Sequence, residues 1–431
     1  MISTFGKAFK TPDLRKKILF TLGIMALFRF GSVIPTPGVS YKNVQTCIDQ
    51  VQNNGLFALV NMFSGGALLH LSVFALGIMP YITSSIIVQL LTVVIPRFEM
   101  LKQEGQSGTA KLTQYTRYLT IGLGILQSTG LIAVARIKGR LFSGCSLDII
   151  PAASWTRIVT MVFVMTAGTA VIMWLGELIT DRGIGNGMSI LIFTSIAAGF
   201  PGQLWSIEVQ NGLPTFVFIL AVGVLIVAAV VFVENAQRRI PVQYAKRMVG
   251  RQMYGGTSTY IPIKVNQAGV IPVIFASSLL YIPSLVVNLS GSTAAWATWI
   301  QKNFVRGDHP IYMATYFLLI IFFTYFYVSI TFNPDEVADN MKRYGGFVPG
   351  IRAGRPTSEY LQYVLGRITA PGSLYLGLIA LIPMVALALF NASQNFPFGG
   401  TAILIVVGVG LDTAKQIESQ LQQRSYEGFL R

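Results

Sequence analysis

Apolar stretches long enough to cross about 30 Å of hydrocarbon recur along this chain, separated by short polar connections. They lie near 18–34, 71–95, 118–135, 158–175, 188–200, 215–233, 268–287, 311–332, 368–390 and 398–414, ten in all. Backbone inside lipid must satisfy its own hydrogen bonds, so repeated runs of this length imply transmembrane helices. Charged residues make up 11% of the 431 and hydrophobic ones 53%, with a mean hydropathy of +0.60. A soluble domain carries about a quarter charged residues, so this chain belongs in a bilayer. The start, "MISTFGKAFKTPDLRKK", is basic and partly polar, and no small-residue cleavage site follows the first apolar run. That run reads as a retained span.

The basic surplus, 32 Lys and Arg against 17 Asp and Glu, would suit a nucleic-acid binder, but its placement follows membrane topology. With both termini cytoplasmic, 24 basic residues lie inside, 7 outside, and Arg29 within the first span, so the positive-inside bias predicts N-in, C-in. Arg136, Lys138 and Arg140 form the main exception. Arg29, about a turn and a half from the outer end of its span, is expected to snorkel.

Ten spans divide into two halves of five, residues 1–200 and 201–431, and an odd number inverts the second half relative to the first. The fifth stretch, "MSILIFTSIAAGF", and the apolar part of the tenth, "FGGTAILIVVGVGL", are both short. Short segments at matching places in two halves point to a functional centre at their interface. The expected fold is therefore an all-α polytopic membrane protein of ten helices in two pseudo-symmetric inverted halves. Two cytoplasmic loops, 234–264 and 333–367, are long and rich in basic residues, the second with a Gly-Pro-shaped tip, "FVPGIRAGR". Long loops tend to be functional, so partner docking is expected of both.

Enzyme chemistry finds little support. The two histidines, His70 and His309, have no metal-ligand spacing around them, and no GxxxxGK[ST] phosphate loop occurs. "GIGNG", 183–187, reads as a tight cytoplasmic turn. An ion-coupled secondary transporter is the rival reading, because inverted repeats suit one. Such carriers bury acids at mid-membrane, whereas here the nearest acid to mid-span is Asp412, close to a cytoplasmic end. Cys47 and Cys145 both fall on the outer face, where a disulfide is chemically allowed, but no framework of paired cysteines surrounds them. Two separate free thiols are the expectation.

One feature is odd. "NMFSGGALLH", 61–70, is apolar enough to enter lipid, too short to cross it, and broken by Gly65 and Gly66, just before a full span. Further on, Ile78 with Ile82, and Met188 with Ile192, are spaced to share one helix face. Spacing alone does not show that they line anything.

"NMFSGGALLHLSVFALGIMPYITSSIIVQLLTVV" (61–94) closely resembles the second-span region of the SecY family of protein-conducting channels. So do "EGQSGTAKLTQYTRY" (104–118), "WLGELITDRGIGNGMSI" (174–190), "QRRIPVQYAKR" (237–247), "IPIKVNQAGVIPVIFASS" (261–278), "FNPDEVADNMKRYGGFVPGIRAGR" (332–355) and "FGGTAILIVVGVGLDT" (398–413). The resemblance implies a channel that passes unfolded secretory polypeptides and releases apolar segments sideways into lipid, with no cofactor. The half-helix from about 56 to 69 would be a re-entrant plug, containing Leu56, Phe57, Asn61, Met62, Phe63, Ser64, Gly65 and Gly66. The pore ring would be Ile78, Ile82, Met188, Ile192, Ile274 and Ile405, with Met188 in place of an expected isoleucine. Aliphatic chains offer water and ions no hydrogen bonds, so a narrow waist made of them dewets and blocks leakage. Thr83, Gln127 and Asn266 match the polar cluster of a lateral gate between the second and third spans on one side and the seventh and eighth on the other. Arg239, Arg251 and Arg352 match positions that dock the ribosome and the motor ATPase SecA. The implied partners also include the small membrane subunits SecE and SecG, signal peptides, nascent membrane-protein segments and the lipid bilayer.

Overall fold

The computed structural model describes residues 9–50, 64–137, 145, 147–151, 154–244, 247–249, 252–254, 258–290, 295–304, 309–390 and 400–427. Helices dominate. In chain order they are α1 (Pro12–Gly31), α2 (Tyr41–Gln50), α3 (Met79–Val94), α4 (Pro96–Gln103), α5 (Gln106–Arg136), α6 (Trp155–Arg182) and α7 (Gly187–Asn235). After the strands of the first long loop come α8 (Ile271–Ser290), α9 (Ala295–Phe304), α10 (Pro310–Thr331), α11 (Pro334–Arg343), α12 (Arg355–Phe390) and α13 (Gly400–Glu427). Among the described residues, four helical runs are long and apolar enough to cross a membrane: Gln106–Arg136, Trp155–Arg182, Pro310–Arg343 and Arg355–Ile382. A fifth is the pair α3 and α4, bent by 100° at Ile95, and shorter apolar helices are Gly187–Gly202, Leu220–Asn235 and Ile271–Leu280. Each of the ten apolar stretches falls on one of these helices, the second only from Met79 onward. Large apolar side chains such as Phe30, Phe163, Leu225, Phe232 and Leu318 stay exposed on the helix surfaces. In a multi-pass membrane protein those faces meet lipid rather than water.

The short fifth and tenth stretches are not short helices. The fifth continues past its apolar window through "PGQLWSIEVQN" to Gly212, where φ 79° and ψ 167° break α7 into two arms. The tenth lies in α13, which runs for 28 residues into a polar tail. Apolarity ended before helicity did in both cases. The division at 200/201 falls inside the first arm of α7, ahead of the break.

Small residues let the helices approach closely. A Cβ on Gly168 of α6 would lie 2.1 Å from the Val73 carbonyl, and one on Gly187 would lie 1.8 Å from that of Gly176. α6 therefore touches backbone on both sides, against the segment before α3 and against the start of α7. "GIGNG" is the tight turn expected: Gly185 has φ +83°, and the Asn186 side chain accepts from the Met188 and Ser189 amides to cap α7.

The loop 234–264 contributes strands. β1 (Gln237–Tyr244) pairs antiparallel with β4 (Ser258–Lys264), from Gln237 opposite Lys264 to Gln243 opposite Ser258. β5 (Gly346–Phe347), from the other long loop, joins the free edge of β1, while β2 (Arg247–Val249) and β3 (Gln252–Tyr254) pair beyond. Alternation explains the hairpin: Ile240, Val242 and Ile263 turn inward onto Val348, Leu361 and Val364, while Arg239 and Pro241 face out. This small sheet marks one end of the bundle, and Lys264 reaches Asp412 of α13 there at 3.4 Å.

The opposite end is closed by a disulfide, which corrects the free-thiol expectation. Cys47 of α2 and Cys145 are bonded, with Cα atoms 5.5 Å apart across a sequence separation of 98. The connections carrying them are already docked. Ser40 donates its amide to the Ile149 carbonyl at 3.0 Å, and the Asn43 side chain donates to the Asp148 carbonyl at 2.7 Å. Both sulfurs sit in a separate apolar cluster with Val44, Leu68, Leu71, Ile132 and Met161. Tertiary packing, which no spacing in the sequence reveals, brings them together.

Candidate pore and plug seat

Ile78 ends the irregular segment before α3 as its N-cap residue, and Ile82 follows one turn later. Met188 and Ile192 occupy the first two turns of α7. Ile274 lies in the first turn of α8, and Ile405 in the second turn of α13. Ile78, Ile82, Ile192, Ile274 and Ile405 are buried in one continuous apolar cluster, and Met188 packs against it half-buried. Two of the contributing helices come from each half of the chain. Met188 reaches over Gly176, where a Cβ would lie 2.6 Å from its sulfur, so its extra length is taken up by a glycine opposite.

Of the proposed plug residues, Leu56, Phe57, Asn61, Met62 and Phe63 lie outside the described residues. Ser64, Gly65 and Gly66 are described, and they begin a series of turns that leads to α3. The Ser64 hydroxyl accepts from the Leu68 amide at 3.1 Å, and Gly65, Gly66 and Gly77 have φ of +65°, +90° and +56°. Leu71 adopts φ +45° although it carries a side chain, at a cost of about 1–2 kcal/mol. The stretch after it is tied to the chain leaving α1: Thr36 donates to the Leu71 carbonyl at 3.0 Å and Val73 to that of Ile34 at 2.9 Å. Phe28 stacks on Phe74 with centroids 5.9 Å apart.

Arg29 is exposed near the end of α1, and its Nη1 donates to the carbonyl of Gly65. Hydropathy registered its depth in the span, but only the fold supplies its acceptor.

The three gate-matching polar residues do not form one hydrogen-bonded cluster. Thr83 donates to the Met79 carbonyl of its own helix at 2.9 Å, and Gln127 sits half-buried on α5. Asn266 is 3% exposed and donates to Glu234 Oε1 at 2.6 Å and to the Gly269 carbonyl at 3.1 Å. Glu234, itself buried, lies one residue from the end of α7, where nothing in the local sequence distinguishes it from a solvated loop acid. α8 nevertheless packs against both α3 and α5, so the seam between the two halves is closed there.

Of the three docking arginines, Arg251 lies outside the described residues. Arg239 is exposed on β1 and stacks over the Tyr260 ring at 4.8 Å. Arg352 is exposed at a tip shaped by Gly350 (φ +83°) and Gly354 (φ +104°), with its carbonyl accepting from the Thr357 hydroxyl at 2.9 Å.

The sequence model of the SecY family matches residues 72–414. A protein translocase subunit SecY of Streptomyces scabiei is 70% identical, with both chains covered in full. Among solved structures, a protein-conducting channel aligns with a TM-score of 0.65 at 17% identity, covering 94% of this chain and 91% of that one. Canine Sec61 in a ribosome–channel complex from the endoplasmic reticulum aligns with a TM-score of 0.62 at 17% identity, over the same shares. The ring-bearing helices, the turn-rich segment before α3 and both basic loops all fall within these matches, and the chain belongs to the SecY family.

Proposed function

We propose that this chain is the central pore-forming subunit of a protein translocase, passing unfolded secretory polypeptides across the cell membrane and releasing apolar segments sideways into the bilayer. The observation that carries the reading is the gathering of six aliphatic side chains from both halves in one apolar cluster, beside the turns that begin at Gly65 and Gly66. Ile78, Ile82, Met188, Ile192, Ile274 and Ile405 form the constriction, which dewets at rest and makes no side-chain-specific contact with what passes. Residues from about 56 to 69 close it on the outer side. The seam where α8 meets α3 and α5 parts to admit a signal peptide or a nascent membrane segment, and Thr83, Gln127 and Asn266 line it. Polar contacts between membrane helices are worth about 0.6–2 kcal/mol each, enough to hold a gate shut without locking it.

Both termini and the small sheet face the cytoplasm in this reading. The sheet and the glycine-shaped tip then present Arg239, Arg251 and Arg352 to a ribosome or to SecA, which supply the driving force, and SecE and SecG complete the membrane complex. A stalled export substrate carrying photoreactive groups along its length tests the assignment. Crosslinks to the six ring positions are expected; their absence across all six would refute the pore.

A further inference from the structure

Arg29 lies in the last turn of α1, and its donor is aimed at the main-chain carbonyl of Gly65, the first of the glycine pair before α3. We infer that Arg29 is the latch of the plug: its guanidinium and the backbone of Ser195 form a seat that holds Gly65, and opening the channel requires that this hydrogen bond break. The inference rests on the plug reading and assigns the positioning residue that the reading lacks.

Three observations place the latch. First, the end of α1 is fixed. Phe28 is buried against Phe74, and the Ser32 hydroxyl donates to the Arg29 carbonyl at 2.7 Å. Arg29 is thereby presented from a rigid turn. Second, Gly65 is pressed between two helices. A Cβ there would lie 3.1 Å from the Ser195 Cα and 3.4 Å from Arg29 Nη1, and φ +65° already disfavours a side chain. Third, Ser195 is one turn beyond the ring residue Ile192 on α7, with its hydroxyl turned back to the Leu191 carbonyl at 3.0 Å. The seat therefore stands directly next to the constriction. A change that separates α7 from α1 would release the plug in the same movement that widens the ring.

The chemistry suits a latch. A backbone carbonyl is an acceptor that no side-chain substitution within the plug removes, and a guanidinium keeps its charge at any physiological pH. A charge-assisted hydrogen bond shifts a closed–open equilibrium by roughly ten- to a hundred-fold, enough to keep a resting channel shut and small enough for an arriving polypeptide to overcome.

Single-channel recording on the purified translocase complex in planar bilayers, with no substrate present, tests this. Arg29→Ala is expected to raise the open fraction about tenfold or more, Arg29→Lys to recover most of the closure, and Gly65→Ala to leak with Arg29 intact. Formation of the Cys47–Cys145 disulfide in each variant, read by alkylation and mass, reports that the fold at that end is intact. A channel lacking residues 56–69 separates the two layers of the argument. If it leaks while Arg29→Ala stays as tight as the unsubstituted channel, the latch is wrong and the plug stands. If neither leaks, the plug reading fails and takes the latch with it. An Arg29→Lys channel no tighter than Arg29→Ala would also overturn the latch, because filling space would then account for the effect.

Discussion

Reducing the bond between Cys47 and Cys145 should loosen the whole end of the molecule that carries it. The separation of 98 residues sets an upper limit on the effect. In the chain-entropy treatment, a closed loop of that length withholds about 16 cal/mol/K from the unfolded ensemble, or about 4.7 kcal/mol at 25 °C. The full amount does not apply here. The loop contains α3 and α5, whose helices persist in lipid when tertiary contacts are lost, and both cysteines then remain on one face of the membrane. A reference state so confined leaves roughly 1–3 kcal/mol. Amide hydrogen exchange followed by mass spectrometry, with and without a phosphine reductant, measures this locally. Amides of Thr36, Ser40 and Val73, which bond the carbonyls of Leu71, Ile149 and Ile34 and so tie α2 and the turns before α3 to their neighbours, should exchange about ten to a hundred times faster after reduction. Amides of α12, far from the bond, serve as the control. Exchange unchanged at those three positions, with reduction verified by alkylation, would show that packing alone holds this end and that the reasoning from loop closure is wrong.

Other consequences can be measured separately. Ile82→Asn or Ile274→Asn should make the resting pore conduct small ions, and an unaltered resting conductance would remove either residue from the constriction. Arg352→Glu should slow motor-driven export severely while the chain accumulates normally; export at the ordinary rate would end the docking role of that tip. Asn266→Leu leaves the buried Glu234 carboxylate without its 2.6 Å donor, a loss of about 1–3 kcal/mol that should lower thermal stability in detergent; equal melting of both proteins would contradict it. Gly168→Val drives a side chain into the Val73 carbonyl and should reduce the folded yield sharply, whereas a normal yield would mean that α6 can shift away.

What could be read from the sequence follows physical range. Apolar runs are local, so the helices were legible, and so was the turn at Gly185, because glycine and Asn186 define it within five residues. The hairpin was locally encoded too, in the alternation of Ile240 and Val242, yet Pro241 and Pro262 disguised it, since proline lacks the ladder donor that a strand uses. The ring needed the family resemblance: burial of Ile274 or Ile405 in a membrane protein is ordinary, and only convergence from four helices makes six such residues a candidate constriction. Glu234, Arg29 and the cysteine pair depended on partners 32, 36 and 98 residues away, and no periodicity reaches that far.

Two of those three long-range contacts flank the same segment, the one proposed as the plug, and that follows from what a plug must do. A movable segment has a weak sequence signal of its own, because it cannot be held by a continuous apolar face and still leave. Its restraint has to come from outside, at its roots. Cys47 fixes the chain before it through Cys145, and Arg29 with Ser195 holds Gly65 near its other end. The two anchors differ in kind: a disulfide is covalent, whereas a hydrogen bond can be broken and remade. If residues 56–69 are the plug, its motion should pivot on the Cys47 side and release on the Gly65 side. A crosslink that replaced the Arg29 contact with a permanent bond should abolish export in a reconstituted translocation assay, and undiminished export would mean that Gly65 need not leave its seat.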